Sequence, residues 1–395
     1  MPNPMRNIKP KPLLNRLLAA TLFALLISLT GGCGFFNTAQ PPEPPENQLL
    51  QALQARDLPQ VVEPELIHFS MLDGVSGWGL TASEVLRTLD SGRSWFKLTE
   101  IDGLSLANAE GASFFLDADS AWVLAGSGEA QIPANLHHTA DGGLTWQVYS
   151  PPFNAAQLFF IDAQQGWALV ITGVAAGSTG VEIYRTSDGG ENWNLAHRTD
   201  PQSLDQSGQL PFSGSKNGLS FRDAQHGFLG GSVPAEGYVY LYETPDGGVT
   251  WQQSALELPD FLQSSFLSFQ APVFFSANSG KLVVEFQGPQ GTGQMVFTTN
   301  NGGERWIATT PLLQSGQVHF VSMQSGRIWD GESLYATNDG GLVWVQIASD
   351  LRPGAIPFQF QFVNVSVGFA LVIDAAASPR FYQTEDSGTN WVRLP

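Results

Sequence analysis

The residues of this sequence that could do chemistry recur in one short phrase. A threonine is followed two residues later by an acidic side chain, then by glycine and tryptophan, as in TADGGLTW at 139–146. This Asp phrase occurs seven times, and its third residues are Asp90, Asp141, Asp188, Asp246, Asn301, Asp339 and Asp386. A carboxylate can serve as a catalytic acid or base, or as a metal ligand.

The repetition itself favours a structural role. Acids spread over seven units cannot share one substrate, and a calcium site needs six or more oxygen ligands, which is more than each loop offers. A carboxylate in a turn instead accepts hydrogen bonds from nearby backbone N–H groups, while glycine supplies a positive φ angle. We therefore predict that the third residue braces the turn, a role that Asn301 can also fill. Metal binding by these loops is the alternative.

The tryptophans that end the Asp phrases set the period of the repeat. They are Trp95, Trp146, Trp193, Trp251, Trp306, Trp344 and Trp391. Their spacing of 38 to 58 residues is typical of a propeller or a similar repeat array. We predict that each ring packs over its own turn, between neighbouring units.

A second motif, the Phe phrase, precedes each Asp phrase. It reads MLDGVSGW (71–78), FLDADSAW (115–122), FIDAQQGW (160–167), FRDAQHGF (221–228), FFSANSGK (274–281), FVSMQSGR (320–327) and FVNVSVGF (362–369). Because the two phrases alternate strictly, they define seven repeats, numbered here in chain order. Runs of Val, Ile, Phe, Tyr and Trp between short turns predict four strands in each repeat.

Antiparallel four-stranded sheets with no helices to cover their faces close best into a radial ring. The predicted fold is therefore all-β: a seven-bladed β-propeller of four-stranded antiparallel blades over residues 64–395. Both phrases are expected at one end of the blades, and the variable loops at the other. The last blade contains four strands of its own, so we predict that the ring closes by packing alone.

The start of the chain predicts export. Residues 1–32 combine basic residues with an apolar run at 17–29 that is too short to span a bilayer comfortably, which is typical of a signal peptide. Cys33 is the only cysteine, and the small residues before it resemble a bacterial lipobox, so we predict a lipid on Cys33. An ordinary secretory signal is the alternative. Residues 33–63, rich in Pro and Glu, are predicted to form a flexible tether.

Charge and loop length indicate where partners bind. Without residues 1–32, 14 basic residues face 36 acidic ones, a net charge of −22 that repels nucleic acid. Recognition usually resides in variable loops on a rigid scaffold. Candidate contacts are Arg198, Phe212, Lys216 and Arg352, although these loops can equally be tolerated insertions. The histidines lack metal-ligand spacing, and we predict no metal and no cofactor.

The Asp phrase resembles the Asp-box, or bacterial neuraminidase repeat. Together with the Phe phrase in seven tandem units behind a lipobox, it is most similar to the photosystem II stability/assembly factor family. That resemblance covers residues 64–395. It implies a seven-bladed propeller that binds subunits of a membrane complex, reaction-centre proteins if the organism is photosynthetic, on the outer face of a membrane or the lumenal side of the thylakoid.

The resemblance also implies a scaffold without catalysis, so the protein is predicted not to be an enzyme. The alternative is a sialidase-like glycoside hydrolase or a carbohydrate-binding exported propeller, because sialidases also carry Asp-boxes. Such enzymes need three arginines and a set of acidic and tyrosine residues around the substrate. Arg185 and Arg222 lie on or beside strands, and no third arginine stands out.

Overall fold

Short antiparallel strands make up most of the chain, as its alternation of apolar and turn-forming residues requires. The computed structural model describes residues 45–395 except 102, 105–107, 127–132, 176, 203–206, 352–356 and 374–377. Cys33 and Arg352 lie outside the described residues. No helix in the described part of the chain is long and apolar enough to cross a membrane.

The strands of the first three repeats form three separate sheets. They are β1 (Gln60–Val61), β2 (His68–Met71), β3 (Gly77–Leu80), β4 (Glu84–Thr88) and β5 (Trp95–Glu100); β6 (Ser113–Phe115), β7 (Ala121–Ala125), β8 (Asn135–Thr139) and β9 (Gln147–Tyr149); and β10 (Gln157–Phe160), β11 (Gly166–Ala175), β12 (Ser178–Thr186) and β13 (Asn194–Arg198). Each sheet is an antiparallel meander, except that β1 joins the first sheet beside β5.

The remaining repeats supply the other strands. They are β14 (Ser215–Phe221), β15 (Gly227–Glu236), β16 (Leu241–Thr244) and β17 (Gln252–Gln253); β18 (Phe266–Phe269), β19 (Val273–Phe274), β20 (Gly280–Gly288), β21 (Gly291–Thr299) and β22 (Ile307–Ala308); β23 (Gln317–Phe320), β24 (Gly326–Trp329), β25 (Leu334–Thr337) and β26 (Val345–Ile347); and β27 (Pro357–Phe362), β28 (Gly368–Ile373), β29 (Pro379–Thr384) and β30 (Val392–Arg393).

An all-β propeller of four-stranded antiparallel blades was predicted and is confirmed, but the count of seven separate blades is not. The described strands form five separate blades and one nine-stranded sheet made from repeats 4 and 5. The two repeats join because β15 runs past its last partner in β16 and pairs with β18, at Ser232 with Ser268 and at Glu236 with Phe266. Gly230 permits this approach, since a Cβ there would lie 2.5 Å from the Phe269 carbonyl oxygen.

The spacing of the Phe phrase follows from a close contact between its two strands. In repeat 3, Phe160 pairs with Gly166 across the turn. A Cβ at Gly166 would lie 2.4 Å from the Phe160 ring, so glycine is required there for the ring to lie flat on the strand. Between them, the Asp162 carboxylate accepts hydrogen bonds from the N–H groups of Gln164 and Gln165, at 2.8 and 2.7 Å.

Stacked side chains form the seams between consecutive repeats. The last residue of a Phe phrase lies against the first residue of the next Phe phrase. The pairs are Trp78 with Phe115, Trp122 with Phe160, Trp167 with Phe221, Phe228 with Phe274, Lys281 with Phe320 and Arg327 with Phe362. The Trp122 and Trp167 stacks are the tightest, with ring centroids 3.8 and 3.7 Å apart. A cation over the phenyl ring replaces the aromatic pair in the two seams that follow repeats 5 and 6.

The same seams also carry a hydrogen bond to a backbone carbonyl of the following repeat. The donor–acceptor pairs are Trp78 to Asp117, Trp122 to Gly189, Trp167 to Gly247, Arg222 to Ala277, Lys281 to Gly340 and Arg327 to Val365, at 2.6 to 3.0 Å. In repeat 4, Phe228 cannot donate, and Arg222 from the same Phe phrase does so instead. Indole, ammonium and guanidinium groups thus all serve as the hydrogen-bond donor that joins one repeat to the next.

The ring closes between repeats 7 and 1 without a shared strand, but not by packing alone. Apolar side chains of both repeats, among them Phe69, Trp95 and Phe381, form one buried cluster. In addition, the amides of Gln359 and Gln361 each bond both the N–H and the C=O of a residue in β2, Phe69 and Met71 respectively, at 2.8 to 3.1 Å. The two side chains therefore satisfy the inner edge of β2 as a neighbouring strand would.

Two elements precede the first meander. Helix α1 (Pro45–Ala55) buries Leu53 and places Arg56, just beyond its end, within hydrogen-bonding contact of the Leu144 carbonyl oxygen in the second Asp phrase. Strand β1 covers the outer edge of β5. Both elements lie in the stretch predicted as a tether, 33–63.

The hydrogen bonds across the seams are expected to contribute measurably to the free energy of unfolding. Trp122→Phe keeps a stacked ring but leaves the buried Gly189 carbonyl without its donor. We therefore expect the free energy of unfolding to fall by about 1–3 kcal/mol. Trp146→Phe is the matched control, because the Trp146 N–H bonds Gly143 within its own half-buried turn at 3.2 Å. Urea unfolding of both variants tests this, and equal losses would contradict an inter-repeat role for the indole N–H.

Candidate binding cleft

Hydrogen bonds within each Asp phrase fold the phrase back on itself. In repeat 3, the Thr186 hydroxyl donates to Asp188 Oδ1 at 2.8 Å and accepts from the Gly190 N–H at 3.0 Å. Asp188 Oδ1 also accepts from the Asn192 N–H at 2.9 Å, and its Oδ2 from the Asn192 side-chain amide at 2.8 Å. The Trp193 N–H closes the turn on the Gly190 carbonyl at 3.0 Å.

Two of these hydrogen bonds occur in all seven phrases. In each, Oδ1 of the third residue accepts one bond from the Thr hydroxyl and one from the backbone N–H four positions further along the chain. The third residues so bonded are Asp90, Asp141, Asp188, Asp246, Asn301, Asp339 and Asp386. Each carboxylate therefore belongs to its own turn, and the seven do not meet at a common point. The Asn301 turn lacks the second carboxylate oxygen, and the buried Trp306 indole N–H that ends the phrase has no hydrogen-bond partner.

These bonds also shift the acidity of the aspartates. For Asp188, the partial burial of the carboxyl works towards a higher pKa. The hydrogen bonds from Asn192 and Thr186 outweigh it, so the pKa lies below the usual value. The pKa of Asp339 is lowered chiefly by the Val343 N–H. Both side chains are ionised near neutral pH, as hydrogen-bond acceptors and not as proton donors.

A large cleft lies where the long loop, residues 199–214, leads from repeat 3 to the outer strands of repeat 4. It has a volume of about 860 Å³, and its walls include Asp200, Phe212, Tyr238, Tyr242, Gln252 and Gln253. We call it the long-loop cleft; residues 203–206 of the loop lie outside the described part of the chain. Among the described lining residues, Asp200 supplies the one carboxylate.

Lys216 holds the long loop in place. Its ammonium group is buried and donates to the carbonyl oxygens of Thr179, Pro211, Phe212, Ser213 and Gly214, at 2.7 to 3.3 Å. Burial lowers the pKa of Lys216 to about 8. The sequence suggested a partner contact here, but the structure makes Lys216 an internal tie of the loop that shapes the cleft.

The structure places the other two described candidates, Phe212 and Arg198, in different surroundings. Phe212 lines the long-loop cleft and is half-buried, with its ring packed against Gly180. Arg198 is exposed on β13, pairs with Glu182 at 2.7 Å and is not among the residues that line the cleft. The structure therefore brings Phe212 and Lys216 together at one loop but does not gather all the candidates at one site.

A tyrosine ladder beside the loop was missed by the sequence reasoning. Tyr238, Tyr240 and Tyr242 alternate along the chain, and the Tyr238 and Tyr242 hydroxyls are 2.9 Å apart. The Tyr240 hydroxyl donates to the Ser213 carbonyl at 2.6 Å. Burial raises the pKa of Tyr240 and Tyr242 above the ordinary value, so both stay protonated. The alternation YVYLY next to the longest insertion was the available signal.

A second, smaller cavity of about 460 Å³ opens on the inner strands of the ring. His68, His319 and several glutamines line it. Burial lowers the pKa of both histidines to about 4, so both are neutral at pH 7. His319 Nδ1 accepts a hydrogen bond from the Phe362 N–H at 3.4 Å, and the Gln359 and Gln361 amides are bonded to β2. Several polar groups of this cavity are thus used in hydrogen bonds to the backbone of the inner strands.

Comparison with solved structures places the fold among known propellers. The chain is similar to YCF48 bound to D1 peptide, with a TM-score of 0.52 and 16% identity over 83% of this chain and 96% of the other. It is similar to a GH74 xyloglucanase from Xanthomonas campestris (TM-score 0.54, 14% identity), covering 85% of this chain but 55% of the enzyme. An oligogalacturonate lyase from Vibrio parahaemolyticus gives a TM-score of 0.57 at 10% identity, over 82% and 91% of the two chains.

No protein-family model and no curated protein sequence matches the chain. At these identities the likeness shows the fold alone. It supports the propeller part of the predicted resemblance, and YCF48 is among the similar structures.

The prediction that the protein is not an enzyme is wrong as an inference from the repeats. A xyloglucanase and an oligogalacturonate lyase share the fold. A propeller scaffold is compatible with both binding and catalysis, so function has to be argued from the site.

The Asp phrase geometry predicts a graded response to substitution. Asp188→Asn keeps the Oδ1 acceptor and should lower the free energy of unfolding by less than about 1 kcal/mol. Asp188→Ala removes every side-chain acceptor and should lower it by about 1–2 kcal/mol. Urea unfolding at pH 7 measures both. Because the carboxyl pKa is lowered in the folded state, its stabilisation is present above the unfolded value near 3.8 and is lost as pH falls through the folded value. Equal losses for Asn and Ala would contradict the brace.

Proposed function

We propose that the protein is a binding scaffold that holds an extended peptide segment of a membrane-protein partner in the long-loop cleft. The observation that carries this proposal is the cleft itself: a volume of about 860 Å³ between aromatic walls and the outermost strand of repeat 4. Its walls combine ring surface with amide and hydroxyl groups, which suits a peptide with alternating side chains and backbone polar groups.

The partner that the proposal favours is a subunit of a membrane complex. YCF48, which shares the fold, is bound to D1 peptide in one of the similar structures. In a photosynthetic organism the partner is then a photosystem II reaction-centre protein, bound during assembly or repair. The proposal also regards the nine-stranded sheet as two adjoining blades, which would make seven in the ring.

Anchoring on a membrane is part of the same proposal. The signal-like residues 1–32 and the lone Cys33 support export and lipid attachment, on the outer face of a membrane or the lumenal side of a thylakoid. Lipid on the first residue of the processed chain would hold the propeller at that surface.

A second candidate function is glycan binding or cleavage. The same cleft offers what a sugar ring uses: the exposed face of Tyr238, the amides of Gln252 and Gln253, and the Asp200 carboxylate. Two of the similar structures are carbohydrate-degrading enzymes, a xyloglucanase and an oligogalacturonate lyase. Carbohydrates are therefore the competing ligands in the first experiment below.

The cleft proposal is tested with the D1 peptide itself. We expect labelled D1 peptide to bind the full-length protein in mild detergent, and Tyr238→Ala to weaken binding about tenfold by removing an exposed wall of the cleft. Tyr335→Ala, a half-buried tyrosine of repeat 6, is the control and should leave binding unchanged. Fluorescence anisotropy measures both.

Two outcomes would contradict this proposal. Absence of D1 peptide binding would exclude the photosystem II partner. Binding or turnover of xyloglucan or oligogalacturonate fragments that Tyr238→Ala abolishes would favour the second candidate.

The anchor is tested by substituting its attachment residue. In a bacterial host fed labelled palmitate, the wild type should incorporate label and sediment with membranes, whereas Cys33→Ser should do neither, because the thiol is the acylated group. An unlabelled wild type that is processed and released would instead show an ordinary secretory signal.

A further inference from the structure

The two phrases of every repeat meet at one end of the ring. In all seven repeats, the N–H that follows the third residue of the Asp phrase donates to the carbonyl of the fifth residue of the Phe phrase, at 2.7 to 2.9 Å. We call this surface the phrase end. Because the same bond recurs, the seven repeats can be compared position by position, and side chains that the turns do not need can be recognised.

Val343 is a side chain of this kind. It is the seventh residue of its Asp phrase. In five other phrases the side chain at this position donates to the second carboxylate oxygen, from Ser94, Thr145, Asn192, Thr250 and Asn390 at 2.6 to 2.8 Å. Valine cannot donate, and Val343 is 59% exposed. The turn of repeat 6 therefore lacks a bond that most of the turns have, and an apolar side chain faces solvent in its place.

Two positions of the Phe phrase depart in the same direction. The fourth residue is glycine or alanine in repeats 1 to 5, but Met323 in repeat 6 and Val365 in repeat 7. The fifth residue is polar in repeats 2 to 7, but Val75 in repeat 1. Val75 and Val365 are 46 and 48% exposed. Neither valine is required by its turn, since the other repeats form the same turn with smaller or polar residues.

These residues lie in consecutive repeats of the ring. Repeat 6 contacts repeat 7 where the Arg327 guanidinium donates to the Val365 carbonyl at 2.6 Å. Repeat 7 contacts repeat 1 at Val367, whose side chain lies 3.7 Å from the position of a Cβ on Gly74. We call the apolar residues on the phrase end of these three repeats the apolar arc: Val75, Met323, Val343, Val365 and the exposed Leu342.

The Phe phrases around the arc carry the fewest acidic residues. Those of repeats 5, 6 and 7 contain none, whereas each of the first four contains at least one. Asp339 in repeat 6 stays ionised, because hydrogen bonds hold its pKa below the usual value. Its charge, on a chain whose acidic residues outnumber its basic ones, repels anionic groups. The surface that receives the arc is therefore uncharged.

The start of the described chain lies at the same end. Helix α1 packs on the second Asp phrase: a Cβ on Gly142 would lie 3.0 Å from the Leu49 side chain, and Arg56 bonds a carbonyl oxygen of that phrase. Twelve residues lead from Cys33 to Pro45, and a chain of that length spans about 40 Å at most. A lipid on Cys33 would thus be tied to the phrase end by a short span.

We infer that the phrase end faces the membrane that holds the anchor, with the apolar arc resting on a bilayer of uncharged headgroups. This inference rests on the anchoring part of the proposed function and adds the orientation of the ring. Apolar side chains at the turn tips leave water when they enter the headgroup region, and stable attachment requires such a second signal beside a lipid chain. Anionic headgroups would be repelled by the ionised aspartates. The variable loops then face away from the membrane.

Labels on single cysteines measure this orientation. Because Cys33 is the only cysteine and its thiol is acylated in the anchored protein, one introduced cysteine takes a fluorophore selectively. Val343→Cys and Val365→Cys place the fluorophore on the arc. Val174→Cys is the matched control, a valine that is 78% exposed near the end of β11, at the opposite end of the ring. On phosphatidylcholine vesicles that contain a nitroxide-labelled lipid, we expect the arc labels to be quenched about threefold more than the control.

Sedimentation with the vesicles separates the orientation from the anchor. If the protein sediments but the arc labels are quenched no more than the control label, the anchor is right and the orientation is wrong. If the protein carries no lipid and stays in solution, both are wrong. Selective quenching of the arc labels in sedimented protein supports both.

A polar substitution tests whether the arc itself makes the contact. Val343→Asn restores the side-chain donor that Asn390 supplies in repeat 7, so the turn is kept while apolar surface is lost. Quenching of the label on Val365→Cys should then fall about twofold, and Val174→Asn should leave it unchanged. Unchanged quenching with Val343→Asn would overturn the inference. So would a dimer of the Cys33→Ser protein that Val343→Asn dissociates, because the arc would then join two copies of the chain.

Discussion

The structure depends on one interaction, repeated at the six seams between consecutive repeats of the chain. A side chain from the second strand of a repeat covers the first Phe of the next Phe phrase, and the same Phe phrase donates a hydrogen bond to a carbonyl of that next repeat. Buried carbonyls that lose their donor cost more than an average hydrogen bond contributes. The seams with a buried acceptor therefore need a donor, and Trp122 and Lys281 are equivalent in that respect although their chemistry differs.

This constraint explains why the two phrases recur while the rest of each repeat varies. The Phe phrase supplies the stacked ring. The bonded carbonyl lies in the next Asp phrase at three seams, as at Gly189 and Gly247, and in the next Phe phrase at the other three, as at Asp117. Within a repeat the two turns are also joined, since the Gly189 N–H donates to the Gln164 carbonyl at 2.9 Å. With the ring fixed at this end, the loops at the other end are free to lengthen, and loop 199–214 has done so.

The sequence predicted the features that depend on local chemistry. The Asp phrase turns, the four-stranded repeats and the propeller class all follow from residue types at fixed spacing. It could not predict the union of repeats 4 and 5, because β15 contains Gly230, Gly231 and Pro234, which usually interrupt a strand. Nor could it show that Lys216 is buried, since a lysine in a polar loop is ordinarily exposed. Four carbonyls of the loop, together with that of Thr179 on β12, change that. The tyrosines of 238–242 were readable as a strand, but their proximity to the long loop is a tertiary fact.

The charges around the long-loop cleft restrict the kind of ligand that the cleft can bind. Lys216 is committed to carbonyl oxygens and Arg198 to Glu182, so neither of these cations is free to bind an acidic partner. Asp200 adds a negative charge to the cleft wall, on a protein whose acidic residues outnumber its basic ones twofold, 36 to 18. An acidic ligand would be repelled at long range and would find no free ammonium in the described wall. Affinity for the proposed peptide must then come from groups that do not depend on charge, namely the ring surface at Phe212 and Tyr238. The peptide proposed for this cleft is therefore expected to be neutral or basic.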